Sequence, residues 1–338
     1  MRQIVTTRNG GPDVLVVEER PDPQPAKGEV LVRVKAAGLN FADILARQGL
    51  YPDGPPKPCV MGYEVAGVVE KTGAGVDGSV KGQAVVALTR FGGQSDQVSI
   101  QAEQIFPKPE SLSFEQAAAL PVNYLTAYAL VYVMGSLQPG ESILIHNAGG
   151  GVGLAAIDVA KRLGAITYGT ASPSKHEFLK QRGLDHAIDY RNSDWLPVLM
   201  NMTNNRGVEL VIDPIGGVHW KKSFKALRHT GRLGMFGIST ASAVGLKGKL
   251  GLLKAVVQSP WFHPIGLINK NKSVFGLNLG HLWHEREKVA AWVEALLAGV
   301  NEGWVRPHVD TAFPFSEVRS AHRYIEERRN IGKVVLVP

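Results

Sequence analysis

A glycine-rich stretch, Ala148–Gly153, combines residue types and spacing that suit the binding of a dinucleotide. Small residues occupy the three fingerprint positions, Ala148, Gly150 and Gly153, with alanine in place of the first glycine. A Cβ here would keep main-chain N–H groups away from a pyrophosphate and would hold the following helix off its strand. An ordinary glycine turn in an α/β sheet has a similar local sequence, so the flanking elements must decide between the two interpretations.

Those flanking elements have the order that a dinucleotide site requires. A β-branched run at Ser142–Ile145 predicts a buried strand before the turn, and apolar residues at helical spacing follow the turn as far as Gly164. A second strand is predicted at Ile166–Gly169. Strand, turn, helix and strand therefore support a nucleotide cradle.

The residues after the second strand favour a phosphorylated coenzyme. Where a site that prefers NAD offers Asp or Glu to the ribose 2′-hydroxyl, this chain has Thr170 and Ser172, with Lys175 just beyond. Lys175 supplies a positive charge and Ser172 or Ser174 a hydroxyl. One charge-assisted bond of about 1.5–3 kcal/mol gives roughly one to two orders of magnitude of preference for NADPH. The alternative is that Lys175 is solvated in the first turn of a helix over 174–182.

Composition predicts an ordinary globular protein. With 338 residues, 44% of them hydrophobic and 20% charged, the chain is long enough for two domains. The formal charge of +7 suits an anionic ligand, but the basic residues are dispersed without a nucleic-acid motif, so no nucleic-acid partner is expected. The single cysteine, Cys59, excludes an internal disulfide and a thiolate-rich zinc site. Without a signal peptide or a membrane-length apolar run, a cytoplasmic location is expected.

The elements that position these residues fall into two groups. Alternating runs punctuated by glycines, including Val30–Ala37 and Val60–Glu70, predict a small β-barrel-like unit in the first third. Between 141 and 279 strands alternate with helices, which predicts a doubly wound parallel sheet. The six strands of that sheet are expected at Ile143–His146, Ile166–Gly169, His186–Asp189, Val208–Asp213, Arg232–Phe236 and Val274–Leu279.

The expected domains are residues 1–121, residues 122–280 with an insertion at 241–272, and a return of residues 281–338 to the first domain. The fold class is therefore α/β, with a β-rich domain and a dinucleotide-binding parallel sheet.

Five passages carry a resemblance to a known family: Leu39–Asp43, Arg47–Tyr51, Leu120–Tyr128, Gly169–Glu177 and Asn271–Gly280. Over essentially its full length the chain resembles the medium-chain dehydrogenase/reductase superfamily, in its zinc-independent quinone oxidoreductase branch, and is most similar there to the VAT-1-like proteins. The resemblance implies a GroES-like catalytic domain, a Rossmann NADPH-binding domain, a cleft between them and a homodimer.

The resemblance also bears on metal binding. Zinc relatives hold a catalytic ion with two cysteines and a histidine. The matching places in this chain are Asn40, Tyr63 and Val122, which do not form a zinc ligand set, and the four-cysteine lobe is missing from 90–105. The pair His281 and His284 is interpreted as part of a solvated helix face and not as a metal site. No metal is predicted.

Without a Lewis acid, the chemistry implied is hydride transfer to a conjugated acceptor. A quinone or an α,β-unsaturated carbonyl compound spreads the new negative charge over a quinolate or enolate, so hydrogen bonds and one proton donor suffice. Asn40 is expected to bond the nicotinamide ribose or the substrate oxygen, and Asp43 to orient the loop. Tyr51 is the candidate proton donor and Tyr63 the reserve, the alternative for Tyr51 being packing against Pro52.

The same resemblance places Thr126 near the nicotinamide, Tyr190 beside the adenosine, and two main-chain segments at the carboxamide. His146 is interpreted as a core histidine. The full set of expected coenzyme contacts is Asn40, Thr126, Ala148, Gly150, Gly151, Val152, Gly153, Thr170, Ser172, Lys175, Tyr190, Phe236, Gly237, Ile238, Leu277, Asn278 and Leu279.

The insertion at 241–272 is both basic and apolar. It suits a lid, a dimer contact or a membrane-surface element, and the simplest interpretation is a helix that covers the sheet edge. The membrane alternative implies a different class of function, a nucleotide-binding, lipid-associated protein with little catalytic activity whose main task is at membrane surfaces. Its contact with anionic membranes through 241–272 would be weak. The lysines that this alternative uses are Lys247, Lys249, Lys254, Lys270 and Lys272.

Overall fold

The computed structural model describes residues 1–241 and 245–338, without the side chains of 241, 245–247 and 249. The strands in the described part are β1 (Arg2–Thr6), β2 (Leu15–Glu19), β3 (Glu29–Leu39), β4 (Cys59–Val60), β5 (Glu64–Thr72), β6 (Ala84–Leu88), β7 (Gln97–Gln101), β8 (Ile105–Pro107), β9 (Ser142–Ile145), β10 (Ile166–Ala171), β11 (His186–Asp189), β12 (Val208–Asp213), β13 (Leu227–Met235), β14 (Ser273–Gly276), β15 (Val309–Pro314) and β16 (Lys333–Val337). The α-helices there are α1 (Phe41–Gln48), α2 (Phe114–Ala118), α3 (Pro121–Tyr128), α4 (Gly151–Arg162), α5 (His176–Arg182), α6 (Trp195–Met202), α7 (Val218–Ala226), α8 (Gly245–Val257), α9 (Pro264–Lys270), α10 (Arg286–Asn301) and α11 (Val318–Glu326).

The first compact unit is rich in β structure and comprises, among the described residues, 1–122, 245–248 and 307–338. Its larger sheet has the order β15-β16-β3-β5-β6-β8, with β7 also paired to β3, and a smaller sheet has the order β2-β1-β4. Alternation along β3 sends Val30, Val32 and Val34 into a core of valines and alanines. The C-terminal strand β16 pairs antiparallel with β3, in the register Val334 to Leu39.

The second compact unit comprises residues Asn123–Ala241 and Lys249–Arg306. Its six strands pair in parallel in the order β11-β10-β9-β12-β13-β14, which is the order of a dinucleotide-binding sheet. Helices α6 and α7 contribute to the core beside the sheet through Trp195, Leu199 and Ala226. Because both faces of such a sheet are covered, its central strands β9 and β12 are almost continuously apolar.

The predicted fold class is confirmed, and the differences lie at element ends. The last strand of the parallel sheet ends at Gly276, not at Leu279, because the Asn278 side chain accepts the N–H of Gly280 at 3.0 Å and starts a 3₁₀ turn at Leu279–His284. That turn contains both His281 and His284. Helix α3, which begins at Pro121, passes into a π-helical turn at Ala129–Val133.

The compact units also divide the C-terminal part of the chain differently from the expected bounds. The domain bounds derived from sequence place residues 281–306 with the returning segment, whereas α10 lies within the parallel-sheet unit. Its Val293, Leu296 and Val300 are buried there. Among the described residues, no helix combines the length and the apolar character that crossing a bilayer requires.

Candidate functional site

The glycine turn joins β9 to α4 at the carboxyl edge of the parallel sheet. Gly150 is the N-cap of α4 with φ −83° and ψ 170°, and no side chain in the described part of the chain caps the helix there. The first N–H groups of a helix have no partner within the helix. They are therefore available to an anion, as the sequence predicts for a pyrophosphate.

Two glycines of the turn are in close contact with their neighbours, and at Gly153 the neighbouring atoms are main-chain atoms that cannot move aside. A Cβ on Gly153 would lie 2.5 Å from the carbonyl oxygen of Ala148 and still closer to that of Asn147. A Cβ on Gly151 would lie 2.6 Å from the Asn123 amide oxygen. These contacts are shorter than van der Waals separation, so glycine is what allows α4 to pack onto the turn.

Lys175 lies against the same turn. A Cβ on Gly149 would meet Cδ of Lys175 at 2.8 Å, so the alkyl chain of this lysine packs against Gly149. The parallel register of Ala171 with Asp189 means that Ser172 and Tyr190 directly follow the paired ends of β10 and β11. The N–H of Lys175 donates to the carbonyl of Ser172 at 3.0 Å. The sequence predicts all three residues to be coenzyme contacts.

Thr170 differs from the other predicted contacts because its hydroxyl is engaged inside the protein. It is buried, and its Oγ1 lies 3.0 Å from Nδ1 of His146. Nε2 of His146 lies 3.2 Å from the Ser223 hydroxyl, which donates to Asp213 at 2.6 Å. Burial lowers the pKa of His146 to about 3, so the ring is neutral, in keeping with its interpretation as a core histidine.

His146, Asp213 and His219 form the one group of three potential metal ligands within the described ranges, with ligand atoms inside 4.8 Å of one another. The ring of His219 donates through Nδ1 to Asp213 at 2.6 Å. The Ser223 hydroxyl lies 2.6, 3.2 and 3.5 Å from Asp213, His146 and His219 respectively. The two imidazole rings and the carboxylate are connected by hydrogen bonds through the Ser223 hydroxyl, so the group is a buried hydrogen-bond network.

The remaining predicted coenzyme contacts follow neighbouring strand ends. Phe236, Gly237 and Ile238 come directly after β13, and the N–H of Leu277 donates to the carbonyl of Met235 at 2.9 Å. Asn278 and Leu279 then begin the 3₁₀ turn, while Thr126 is buried on α3. Because carboxyl ends of parallel strands share one edge, these segments lie along the edge that carries the glycine turn.

Asp43 holds two segments of the β-rich unit together. Its carboxylate accepts the N–H of Asn40 at 2.8 Å and the N–H of Gly62 at 3.1 Å. The first bond caps α1, and the second fixes the chain before Tyr63. Burial raises the pKa of Asp43 to about 7, against the opposing effect of the two N–H donors and of Lys333. This placement suits the predicted role of orienting the loop.

Asn40 lies in a buried polar group that the sequence analysis missed. Its Oδ1 accepts from Nζ of Lys333 at 2.7 Å, and its Nδ2 donates to Glu64 at 3.0 Å. Lys333 also forms an ion pair with Glu64, and both side chains are buried. The sequence offered only a weak signal for this group: Glu64 and Lys333 are charged residues at the starts of two apolar strands, 269 positions apart.

The two predicted tyrosines lie close together. The rings of Tyr51 and Tyr63 meet edge to face with centroids 6.3 Å apart, and Phe91 lies 5.5 Å from Tyr63. The Tyr63 hydroxyl is buried without a hydrogen-bond partner among the described residues. Burial raises the pKa of Tyr63, so its hydroxyl stays protonated and can donate.

The three positions that match the zinc ligands of relatives do not fit a zinc ion. The Asn40 amide is bonded to an ammonium and a carboxylate, and Tyr63 is a protonated phenol. The side chain of Val122 has no ligand atom, and its main-chain N–H donates to Glu64 at 2.7 Å. Zinc requires thiolate, imidazole or carboxylate ligands, and a neighbouring lysine ammonium repels a cation.

Comparison with known proteins agrees with this architecture. Residues 26–122 match the model for the alcohol dehydrogenase GroES-like domain, and residues 182–336 match a zinc-binding dehydrogenase model. The chain is 40% identical to the human synaptic vesicle membrane protein VAT-1 homolog, over 100% of this chain and 86% of that protein. It is 32% identical to quinone oxidoreductase 1 of Escherichia coli, over 98% of each.

Solved structures give the same result. The crystal structure of Escherichia coli quinone oxidoreductase complexed with NADPH superposes with a TM-score of 0.88 at 31% identity, and the match covers 100% of both chains. Human VAT-1 homolog-like protein superposes with a TM-score of 0.87 at 31% identity, covering 100% of this chain and 98% of that one. The chain therefore belongs to the medium-chain dehydrogenase/reductase superfamily, in the branch that contains the VAT-1 homologues and the quinone oxidoreductases.

Proposed function

We propose that the protein is an NADPH-dependent, zinc-independent reductase of quinones or α,β-unsaturated carbonyl compounds. The observation that carries this proposal is the uncapped glycine turn at the start of α4 with Lys175 packed against it. Among relatives, the Escherichia coli structure is a quinone oxidoreductase complexed with NADPH, and CurK, at 29% identity, is an enoyl reductase.

On this proposal the parallel-sheet unit binds the coenzyme. The N–H groups at Gly151, Val152 and Gly153 bond the pyrophosphate, and Lys175 with Ser172 or Ser174 bonds the 2′-phosphate. NADPH, when bound, supplies the hydride. Conjugation in the acceptor then makes a metal unnecessary, because the negative charge spreads over an enolate or quinolate.

The β-rich unit supplies the polar groups for the acceptor. Asn40, fixed by its neighbours, bonds the ribose or the acceptor oxygen. We assign proton donation to Tyr51. Tyr63 is the reserve, since its hydroxyl has no hydrogen-bond partner among the described residues and is a donor that a carbonyl oxygen would satisfy.

The decisive experiment measures oxidation of NADPH and of NADH against a panel of 1,4-quinones, enals and enones. We expect turnover with NADPH and at least one conjugated acceptor, and none with simple ketones. Tight NADPH binding with no turnover on any acceptor would contradict the enzyme assignment and would favour a non-enzymatic role.

Single Tyr51→Phe and Tyr63→Phe variants test the proton donor. Loss of the general acid is expected to lower kcat about 10²-fold for the variant that removes it, while NADPH affinity stays constant. The two variants are matched controls for each other, since each removes one hydroxyl. If both turn over a 1,4-quinone at the wild-type rate, solvent supplies the proton and the assignment is wrong.

A second candidate function rests on the exposed apolar surface of α8, α9 and the segment between them. Val257, Trp261, Ile265 and Ile268 are 61–90% exposed, and lysines accompany them. The curated relatives include synaptic vesicle membrane proteins. We propose weak contact with anionic membranes through this surface; Lys247 and Lys249, named from the sequence, have side chains outside the described part.

Liposome flotation tests the membrane contact. Wild-type protein is expected to float with vesicles that contain anionic lipid, less so in high salt, and a Trp261→Ser/Ile268→Ser variant is expected to float less. Vesicles of zwitterionic lipid alone are the control. Equal recovery with both vesicle types would remove this candidate. The cytoplasmic location expected from sequence stays a prediction.

We also propose a homodimer formed through β14. This strand is an edge of the parallel sheet, and one of its sides pairs with no other strand among the residues that the structure describes. Pairing with the same strand of a second copy would satisfy those N–H and C=O groups. Sedimentation equilibrium is expected to give twice the chain mass, and a Val274→Pro variant, which removes one donor of the edge strand, is expected to shift the equilibrium toward monomer.

A further inference from the structure

A buried ion pair, Lys333 with Glu64, joins segments of the β-rich unit that are distant in sequence. The pairing of β16 with β3 in the register Val334 to Leu39 places Lys333 beside Asn40, just beyond the end of β3. Glu64, the first residue of β5, accepts from Lys333, from Asn40 and from the N–H of Val122. One carboxylate therefore receives three donors from three parts of the chain.

The pair fixes the orientation of the Asn40 amide. Its oxygen accepts from the Lys333 ammonium at 2.7 Å, while its nitrogen donates to Glu64 at 3.0 Å. Turning the amide by 180° would place its N–H₂ against an ammonium and its oxygen against a carboxylate. Both contacts would be repulsive inside the protein, where charges are poorly screened. The second hydrogen of the amide makes only a long contact, in which Nδ2 lies 3.5 Å from the carbonyl oxygen of Gly38.

The chain makes room for this arrangement at Gly38. A Cβ there would lie 2.5 Å from Oε1 of Glu64. Replacement of Gly38 would therefore displace the carboxylate. The glycine is consistent with a carboxylate held in one position against the main chain.

Stability alone does not account for such a pair. Removing two charges from water costs several kcal/mol per ion, and well-packed apolar residues often stabilise a protein as well or better. What apolar residues cannot do is hold an amide in one of its two orientations.

We propose that Lys333 and Glu64 are positioning residues that hold the Asn40 amide in the orientation used in the reaction. The inference rests on the proposed function, because Asn40 is assigned there to the coenzyme ribose or the acceptor. Lys333 and Glu64 act through Asn40 and are not assigned any contact with substrate.

The test compares a Glu64→Gln/Lys333→Met double variant with wild type. The double change removes both charges together, so no unpaired charge is left buried. With 1,4-naphthoquinone as acceptor we expect kcat to fall about 10- to 100-fold, since misplacement of a reacting group by about 1 Å costs that much. NADPH affinity, followed by fluorescence titration, is expected to change less than about threefold.

Two further variants separate positioning from general damage. The single variant Lys333→Arg keeps the positive charge and the hydrogen-bond donors, so its kcat is expected to be much closer to the wild-type value than that of the double variant. A matched double variant, Glu141→Gln/Arg232→Met, removes a partly buried pair of the parallel-sheet unit and is expected to keep wild-type kcat. A crystal structure of the Glu64→Gln/Lys333→Met variant is expected to show the Asn40 amide in a changed position.

The outcomes are distinct. Wild-type kcat in the folded double variant, or an unmoved Asn40 amide, would overturn the inference and leave the proposed function intact. If the double variant does not fold, Gly38→Ala, whose Cβ displaces the Glu64 carboxylate without removing a charge, takes its place: a lowered kcat supports the inference, and a wild-type kcat with Asn40 displaced refutes it. A wild-type protein without activity on any acceptor would remove the proposed function and this inference with it.

Discussion

Replacement of Lys175 by alanine should weaken NADPH binding and leave NADH binding nearly unchanged. Lys175 is half-buried, and its alkyl chain packs against Gly149, so its ammonium is confined near that turn. A charge-assisted bond to a phosphate contributes about 1.5–3 kcal/mol, and partial exposure reduces this to about 1–2 kcal/mol. That range corresponds to a loss of roughly 5- to 30-fold in NADPH affinity.

The assay is fluorescence titration of wild type and Lys175→Ala with NADPH and with NADH at two salt concentrations. Because the interaction is electrostatic, the ratio of the two affinities should fall as salt increases in the wild type and much less in the variant. Lys180→Ala, an exposed lysine on α5, is the matched control for the loss of one positive charge. An unchanged NADPH to NADH ratio in Lys175→Ala, or an equal change in Lys180→Ala, would refute the assignment of Lys175.

Three further predictions concern stability and pH. Gly153→Val should abolish NADPH binding and lower the free energy of unfolding, measured by urea titration, by about 1–3 kcal/mol, because the new side chain would overlap the Ala148 carbonyl. Unchanged NADPH binding would refute the close approach of the coenzyme to this turn. Burial raises the pKa of Asp43 from 3.8 to about 7, so the folded state binds the carboxyl proton more tightly than the unfolded state. The free energy of unfolding of the wild type should therefore fall, by at most about 4 kcal/mol, between about pH 4 and pH 7. Asp43→Asn should lack that part of the pH dependence, and the same pH dependence in both proteins would contradict the prediction. Glu326→Leu leaves the guanidinium of Arg47 buried without its carboxylate and should cost about 3 kcal/mol in the same assay, with a change below about 1 kcal/mol contradicting the burial argument.

Much of the fold could be predicted because its signals are local. The run Ser142–Ile145, the turn at Ala148–Gly153 and the strand at Val208–Asp213 each carry their own periodicity and turn residues, and the structure has strands and a helix start at those places. Element ends were less predictable. The end of β14 depends on a side-chain bond from Asn278, which competes with continuation of the strand.

The buried hydrogen bonds were not predictable in the same way. The sequence treats Thr170 as a coenzyme contact, but it carries no sign that His146 engages its hydroxyl from a neighbouring strand. The pKa of Asp43 is a second example: the sequence predicts a residue that orients the loop, and only its complete burial in the folded protein raises its pKa. Burial is a property of the packed molecule.

By itself the sequence determined the class of the protein: a glycine turn between a strand and a helix, and five passages that mark the medium-chain dehydrogenase/reductase superfamily. What only the tertiary structure decided is the partner of Asn40. Lys333 and Glu64 are 269 residues apart, and they meet because the last strand pairs with β3 in one particular register. A register between distant strands depends on the packing of the whole sheet, so no local pattern of residues specifies it.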